Sequence, residues 1–100
     1  MNSHDRQLVA ILFTDIVGYT AVMEENEHVA VALIKHYNTV LNQLVVSHNG
    51  KVLNYYGDGS LCIFPSATEA INCAIEMQRE LQKEPSVPLR IGLHVGEIFF

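Results

Sequence analysis

Two isolated aspartates are the residues best placed to do chemistry. Asp15 ends an apolar run in "LFTDIVGYT", where an unpaired buried charge would cost on the order of several kcal/mol, and Asp58 lies between two glycines in "YYGDGSLCIF". Two carboxylates at one site repel each other, and a divalent cation removes that repulsion. Mg²⁺ binds through one or two carboxylates and keeps its other positions for water and phosphate oxygens. The pair therefore predicts a divalent-metal site, provided that folding brings the two together.

Each aspartate taken alone also has a simpler interpretation. An Asp-Gly pair between two strands is most often only a turn, so Asp58 by itself indicates little. Asp15 indicates more, because it stands where a buried strand runs into a glycine-containing turn that opens a helix, a place where open sheets hold ligands. A functional interpretation thus depends on the two residues meeting.

The segment after Asp15 has the features of a phosphate-binding turn. Gly18 lets the backbone approach a ligand, and N–H groups at a helix start point toward an anion. The candidate donors are the backbone N–H groups of Val17, Gly18, Tyr19 and Thr20. The segment lacks the lysine and the spacing of a Walker loop, so ordinary P-loop chemistry is not expected.

Apolar periodicity predicts the elements that position these residues. Residues 8–16 are apolar and β-branched with almost no alternation, which predicts a strand covered on both faces. A short helical turn over about Tyr19–Glu25 follows, and apolar positions spaced by three and four predict a longer helix over about Glu27–Ser47. The "HNG" at residues 48–50 predicts a helix end with its glycine at positive φ.

The second half of the chain predicts a hairpin and a helix. Strands are expected at residues 51–56 and 60–64, joined by the Gly-Asp-Gly turn. The next helix opens at "SATEA", with Ser66 or Thr68 as its N-cap, and the proline-containing "EPSVP" ends it.

A last strand completes the pattern. It is expected over residues 89–95, after which Gly96 and Glu97 turn the chain into "IFF". The order strand, helices, hairpin, helix, strand predicts an α+β fold of the split βαβ kind, with an antiparallel or mixed sheet and its helices packed on one face. In this arrangement the first strand and the hairpin are neighbours at the centre of the sheet, so that Asp15 and the Asp58 turn can approach each other.

Composition limits the possible partners. The 100 residues carry a net charge of −5 with six lysines and arginines, which argues against a nucleic-acid-coating surface. The sequence shows no signal peptide and no membrane span, so an intracellular, cytoplasmic location is expected. Cys62 and Cys73 lack any CxxC spacing and are expected to be buried, reduced thiols.

Three blocks together, "FTDIVGYT", "YYGDGSLCIF" and "LRIGLHVGE", resemble the class III adenylyl and guanylyl cyclase catalytic domain. The resemblance covers residues 8–100, with residues 1–7 as a lead-in, and implies a ferredoxin-like core that works as a head-to-tail dimer, either a homodimer or a pair with a second cyclase domain. It implies two Mg²⁺ or Mn²⁺ ions held by Asp15, Asp58 and the carbonyl of Ile16. The implied reaction converts ATP or GTP into a 3′,5′-cyclic nucleotide and pyrophosphate, and Arg90 matches an arginine that reaches the phosphates.

Two departures from the family pattern matter. Adenylyl cyclases typically carry a base-reading lysine, and guanylyl cyclases a glutamate, at the position occupied here by Asn54. An amide can donate and accept, so the choice between ATP and GTP stays open. The family block with the transition-state asparagine and arginine would follow Phe100, so we expect the natural domain to continue and this polypeptide alone to be inactive.

Two alternatives to a cyclase remain open. One is a catalytically silent cyclase-homology module that binds nucleotide or dimerises, which Asn54 favours. The other is a receiver-like or diguanylate-cyclase-like signalling domain. The receiver version needs a parallel sheet with a clustered acidic pair, and the diguanylate version needs a "GGDEF"-type turn, which "YGDGS" resembles only superficially.

Overall fold

Within residues 6–99, which the computed structural model describes, the sheet has four antiparallel strands, with the helices on one face. Residues 1–5 of the lead-in expected at residues 1–7, and the last residue of the chain, lie outside the described part. The elements of that part are β1 (Arg6–Ile16), α1 (Tyr19–Glu25), α2 (Glu27–Ser47), β2 (Lys51–Tyr55), β3 (Gly59–Phe64), α3 (Ala67–Leu81) and β4 (Leu89–Phe99). The strand order is β2-β3-β1-β4, which confirms the predicted split βαβ arrangement.

β1 alternates between two environments. Its Leu12 and Ile16 are buried in the core under α2 and α3, whereas Phe13, on the sheet face away from the helices, is 50% exposed. The prediction that this strand is covered on both faces is therefore wrong at Phe13, although Val9 on the same face is 3% exposed. The apolar run suggested full burial, but an antiparallel sheet with helices on one side leaves much of its second face open. We call that second face the open face.

α1 and α2 meet at a single residue. Asn26 ends α1, since its backbone N–H donates to the carbonyl of Val22, and it also caps α2, since its side-chain oxygen accepts from the N–H of Val29 at 3.2 Å. This is the usual role of asparagine at a helix start. α1 buries none of its residues, and α2 buries one face: Ala30, Leu33, Tyr37, Val40, Leu41 and Val45.

The turn after α2 uses its glycine differently from the prediction. Asn49, not Gly50, takes the left-handed conformation, with φ of 63°. A Cβ at Gly50 would lie 2.4 Å from the ring of Phe64, so the glycine is needed to make room for that ring. Asparagine tolerates the left-handed region better than most residues, which explains the exchange of roles.

Later elements follow the prediction with one exception. Ser66 caps α3 by accepting from the N–H of Glu69 at 3.2 Å. β4, however, continues through Gly96 and Glu97 without the expected turn, because it pairs with β1 along its whole length, from Ile16 opposite Leu89 to Arg6 opposite Phe99.

Other expectations concern the cysteines and the membrane. Cys62 and Cys73 are free and fully buried, as predicted. Burial raises the pKa of both thiols. Within residues 6–99, no helix combines the length and the apolar character that crossing a bilayer requires.

Candidate active site

Antiparallel pairing of β1 and β3 brings the backbones of the two aspartates together. Asp15 lies directly opposite Gly59, and the N–H of Ile16 donates to the carbonyl of Asp58 at 2.9 Å. Residues 43 positions apart in the chain therefore stand side by side at one end of the central strand pair. The expectation that the first strand and the hairpin are neighbours is confirmed.

The two glycines of the turn have separate tasks. Gly57 takes a left-handed conformation, with φ of 72°, which lets the chain reverse. Gly59 permits a close approach, because a Cβ there would lie 2.6 Å from the carbonyl oxygen of Thr14 and 3.3 Å from the Cβ of Asp15. Any larger residue would push β3 away from β1, and with it Asp58 away from Asp15.

Arg90 lies beside the first aspartate. The two residues are directly opposite each other in the β1–β4 pairing, and the Nε of Arg90 donates to the Oδ1 of Asp15 at 3.2 Å. Both side chains are largely exposed, at 72% for Arg90 and 44% for Asp15, so the pair adds little to stability. The pair matters for the site itself, because the Asp15 carboxylate is accessible to solvent and the positively charged Arg90 guanidinium lies next to it.

The proposed phosphate-binding backbone is only partly available. The N–H of Val17 donates to the carbonyl of Pro88 at 2.8 Å. It is therefore not a free donor for phosphate, contrary to what the sequence had suggested. Gly18 precedes α1 with φ of 70° and no side chain caps this helix start. Tyr19 packs against the core and Thr20 is exposed. The N–H groups of the first helical turn have no partner within the helix, so the candidate set narrows to Gly18, Tyr19 and Thr20.

Asn54 does not join the aspartates. It is an exposed residue of β2, an edge strand of the described sheet, and it pairs with Leu61 after a register shift that follows Val52. Because β3 lies between β2 and β1, Asn54 stands two strands away from Asp15. A base contact by Asn54 at the same site as Asp15 is not formed within this chain.

Sequence reasoning missed a hydrogen-bonded group behind the aspartates. The Thr14 hydroxyl lies 2.6 Å from that of Tyr37 and 2.6 Å from that of Ser60, and all three residues are buried. Burial raises the pKa of the Tyr37 phenol, which keeps its proton at neutral pH. The sequence signal that could have revealed this group is a hydroxyl residue at an inward-facing position in each of two strands, together with a tyrosine on the apolar face of a helix.

The oxygen donors at this end suit a hard cation. Among residues 6–99, no three His, Cys, Asp or Glu side chains cluster in a way that could hold a metal ion alone. Two carboxylates and a backbone carbonyl would leave positions for water and substrate oxygens, as Mg²⁺ and Mn²⁺ require, and the backbones of Asp15 and Asp58 lie side by side. The residues present therefore fit such an ion.

Comparisons with known proteins agree with this geometry. A family model described as "Adenylate and Guanylate cyclase catalytic domain" matches residues 1–100. A protein of Rhizobium meliloti (strain 1021) named as adenylate cyclase 3 is 38% identical over 101 residues, covering 93% of this chain and 17% of that protein.

Solved structures give the same answer. The adenylate/guanylate cyclase/hydrolase from Silicibacter pomeroyi is 32% identical with a TM-score of 0.82, over 95% of this chain and 60% of that one. A bacterial light-regulated adenylyl cyclase shares the fold with a TM-score of 0.86 at 20% identity, over 94% of this chain and 32% of that one.

The match accounts for only part of these relatives. The chain spans from 12% to 32% of the length of the sequence relatives that it matches. The family model nevertheless covers the whole chain, and the resemblance inferred from the three sequence blocks is confirmed. The chain belongs to the adenylate and guanylate cyclase catalytic domain family.

Proposed function

We propose that the chain is the N-terminal part of a nucleotide cyclase domain in a longer parent protein. The parent converts ATP or GTP into a 3′,5′-cyclic nucleotide and pyrophosphate for signalling in the cytoplasm. The observation that carries this proposal is the contact of the Ile16 N–H with the Asp58 carbonyl, which sets the second aspartate beside the first. Membership of the cyclase family supports it.

The metal site of this proposal consists of Asp15, Asp58 and the carbonyl of Ile16. Two Mg²⁺ or Mn²⁺ ions bound there would supply activation of the ribose 3′-hydroxyl and neutralisation of triphosphate charge. Asp15 presents an exposed carboxylate on the open face, and Asp58 is half-buried in the turn beside it. The role of these residues is to hold the charge in place before substrate arrives.

Arg90 and the turn before α1 serve the triphosphate. The Arg90 guanidinium is 72% exposed and contacts Asp15 through Nε, so its side chain is free to turn toward an incoming phosphate. The N–H groups of Gly18, Tyr19 and Thr20, directly after β1, would supply neutral donors. A phosphate chain would then meet one mobile cation and a set of backbone amides.

Asn54 is proposed to contact the base from the second domain of a dimer. Its position two strands from Asp15 fits a shared site, in which one domain supplies the metal aspartates and the other the base contact. That partner is a second copy of the chain or another cyclase domain. The amide leaves the choice between ATP and GTP to neighbouring groups.

A silent module is the second candidate, favoured by Asn54 in place of a charged base reader. It would bind nucleotide or dimerise without turnover. The receiver-like alternative needs a parallel sheet, and all strand pairs among residues 6–99 are antiparallel, which argues against it.

The test is product formation by the full-length parent with Mn²⁺ and ATP or GTP. We expect a cyclic nucleotide, and about a 100-fold or larger loss in Asp15→Ala and Asp58→Ala, because each removes a metal ligand. Glu80→Ala is the matched control, since it removes a surface carboxylate that pairs with Lys83 on α3. Full turnover in Asp15→Ala would overturn the site, and nucleotide binding without product would favour the silent module.

A further inference from the structure

A cluster of three buried hydroxyls lies directly behind the candidate metal site. We call Thr14, Tyr37 and Ser60 the hydroxyl cluster. Their exposed fractions are 4%, 0% and 2%, and Thr14 Oγ1 lies 2.6 Å from both Tyr37 Oη and Ser60 Oγ. A buried hydroxyl is costly unless it is hydrogen-bonded, and here each hydroxyl has at least one partner within the cluster.

The cluster is close to both aspartates along the chain: Thr14 is one residue from Asp15, and Ser60 is two residues from Asp58. Thr14 and Ser60 are direct partners in the β1–β3 pairing, and the next pair is Asp15 with Gly59. Because side chains alternate along a strand, Thr14 points toward the helices and Asp15 points to the open face. The hydrogen bond between Thr14 and Ser60 thus joins the two strands at the last inward position before the aspartates.

Tyr37 adds a third attachment point. It lies in the middle of α2, is fully buried, and contacts Thr14 from the helix layer. Through Tyr37, the end of β1 is attached to α2 in the helix layer as well as to β3 in the sheet. Hydrogen bonds have directional geometry, so this contact fixes position in a way that apolar packing alone does not.

The neighbouring strand contact leaves no room for a side chain at position 59. A Cβ at Gly59 would lie 2.6 Å from the Thr14 carbonyl oxygen, so a side chain there would force β1 and β3 apart. A cluster that fixes the offset of β1 against β3 at this point also fixes the backbone positions from which the Asp15 and Asp58 side chains extend.

We propose that the hydroxyl cluster positions the metal site: it sets the offset between β1 and β3 and thereby the separation of the Asp15 and Asp58 carboxylates. The inference rests on the metal site of the proposed function. Its members are positioning residues, because they face the core and do not touch the ions or the substrate. Groups that hydrogen-bond directly to metal ligands typically change metal affinity by about 10- to 100-fold when removed, and for residues that act through the strands we expect the lower end of that range.

The test is Mn²⁺ binding to the full-length parent, measured by calorimetry with Mn²⁺ alone and again with a non-reactive ATP analogue. Tyr37→Phe keeps the ring and removes one hydroxyl, and we expect the dissociation constant for Mn²⁺ to rise about 10-fold. Ser47→Ala is the matched control, because it removes a hydroxyl that donates to the carbonyl of Leu44 at 3.0 Å at the C-terminal end of α2, ten residues beyond Tyr37. It should leave Mn²⁺ binding unchanged.

A conservative pair separates positioning from packing. Thr14→Ser keeps the hydroxyl and should bind Mn²⁺ as the wild type does, whereas Thr14→Val keeps the shape, loses the hydroxyl and should bind it more weakly. If Tyr37→Phe fails to fold, Thr14→Ser and Thr14→Val still test whether the hydroxyl affects Mn²⁺ binding. Wild-type Mn²⁺ affinity in Thr14→Val and in folded Tyr37→Phe, with only a lower melting temperature, would overturn the inference and leave the proposed function intact.

Failure of the proposed function has a different signature. Wild-type protein that binds no Mn²⁺, or whose Mn²⁺ binding persists unchanged in Asp58→Asn, would overturn the metal site itself and the positioning role with it. Mn²⁺ binding that Asp58→Asn abolishes and the cluster variants weaken would support both, whether or not cyclic product forms.

Discussion

The two halves of β4 differ in what covers them on the helix side of the sheet. At the end that pairs with the Asp15 end of β1, that side is closed: Thr14 and Leu89 are buried, and the polar groups beneath are hydrogen-bonded. At the other end, on the same face, Leu93 is 43% and Val95 48% exposed. Helix α3 packs against β1 and β4 but leaves the second half of this edge strand uncovered.

The difference separates surfaces that the chain covers by itself from a surface that further polypeptide would have to cover. The end with the candidate site is built from contacts within the described residues. The far end has a strip of apolar side chains on an edge strand, the kind of surface that another polypeptide normally covers. We expect that cover to come from further chain of the parent or from a second copy.

The largest expected effect contrasts two leucines that face each other across β1 and β4. Leu12 is fully buried and its partner Leu93 is 43% exposed. Leu12→Ala should lower the free energy of unfolding by about 2–5 kcal/mol through the cavity it leaves, and Leu93→Ala by less than about 1 kcal/mol. Urea denaturation of both variants measures this, and equal losses would show that the edge strand β4 is as well packed at this position as the central strand β1.

Two glycines give the next contrast. A Cβ at Gly59 would meet the backbone oxygen of Thr14, whereas a Cβ at Gly92 on β4 would meet nothing within 4 Å. Gly59→Ala should cost about 1–3 kcal/mol by forcing β3 from β1, and it should also weaken Mn²⁺ binding. Gly92→Ala is the control. If Gly59→Ala unfolds at the same denaturant concentration as wild type, the close approach is not needed.

A third prediction uses a thiol in the well-covered half. Burial, with a smaller contribution from the neighbouring Cys62 and Glu76, raises the pKa of Cys73 from 9.0 to about 12. The unfolded thiol therefore ionises first, so stability is complete below pH 9 and falls as pH rises from about 9 toward 12. A thiol placed at Leu93→Cys should lack this protection, because the side chain there is exposed.

Denaturation at several pH values measures that effect. Between about pH 8 and pH 10 the wild type should lose about 1 kcal/mol from this group, and Cys73→Ala should lose less over the same interval. Cys62, whose pKa burial also raises, contributes in the same direction in both proteins. A pH dependence identical in wild type and Cys73→Ala would contradict the assignment.

Leu93→Lys should combine the smallest change in stability with a large change in self-association of the chain. Leu93→Lys places a charge on the exposed strip and should change the free energy of unfolding by no more than about 0.5 kcal/mol. It should nevertheless reduce self-association of the isolated chain, because charged residues on an edge strand oppose pairing with another edge. Sedimentation velocity measures this, and a wild-type chain that is already monomeric at high concentration would contradict the expectation.

The sequence predicted most of the fold because its local signals agree with each other. Helix periodicity, the Ser66 cap and the Gly-Asp-Gly turn all match the observed elements, and their order determines the sheet. Failures came where a local pattern has two physical meanings. An apolar strand does not show which of its faces is covered, and the glycine at position 50 was needed for space beside Phe64 rather than for its φ.

The candidate site was predictable only in part for a similar reason. Asp15 and Asp58 stand out because carboxylates are rare in apolar surroundings. Thr14 and Ser60 do not, because hydroxyl residues are common in strands and only the register shows that they share one hydrogen-bonded group. Likewise, the partner of the Val17 N–H is set by the path of residue 88, which local sequence does not reveal.

The single residue between α1 and α2 has a consequence for how the site moves. α1 is seven residues long and buries none of them, whereas α2 is anchored by a fully buried face. Asn26 therefore joins a short helix that contacts the core only through the partly buried Tyr19 and Val22 to a long helix that is firmly anchored. The proposed phosphate-binding segment is the less firmly anchored part of the candidate site, and we expect a bound nucleotide to order it further.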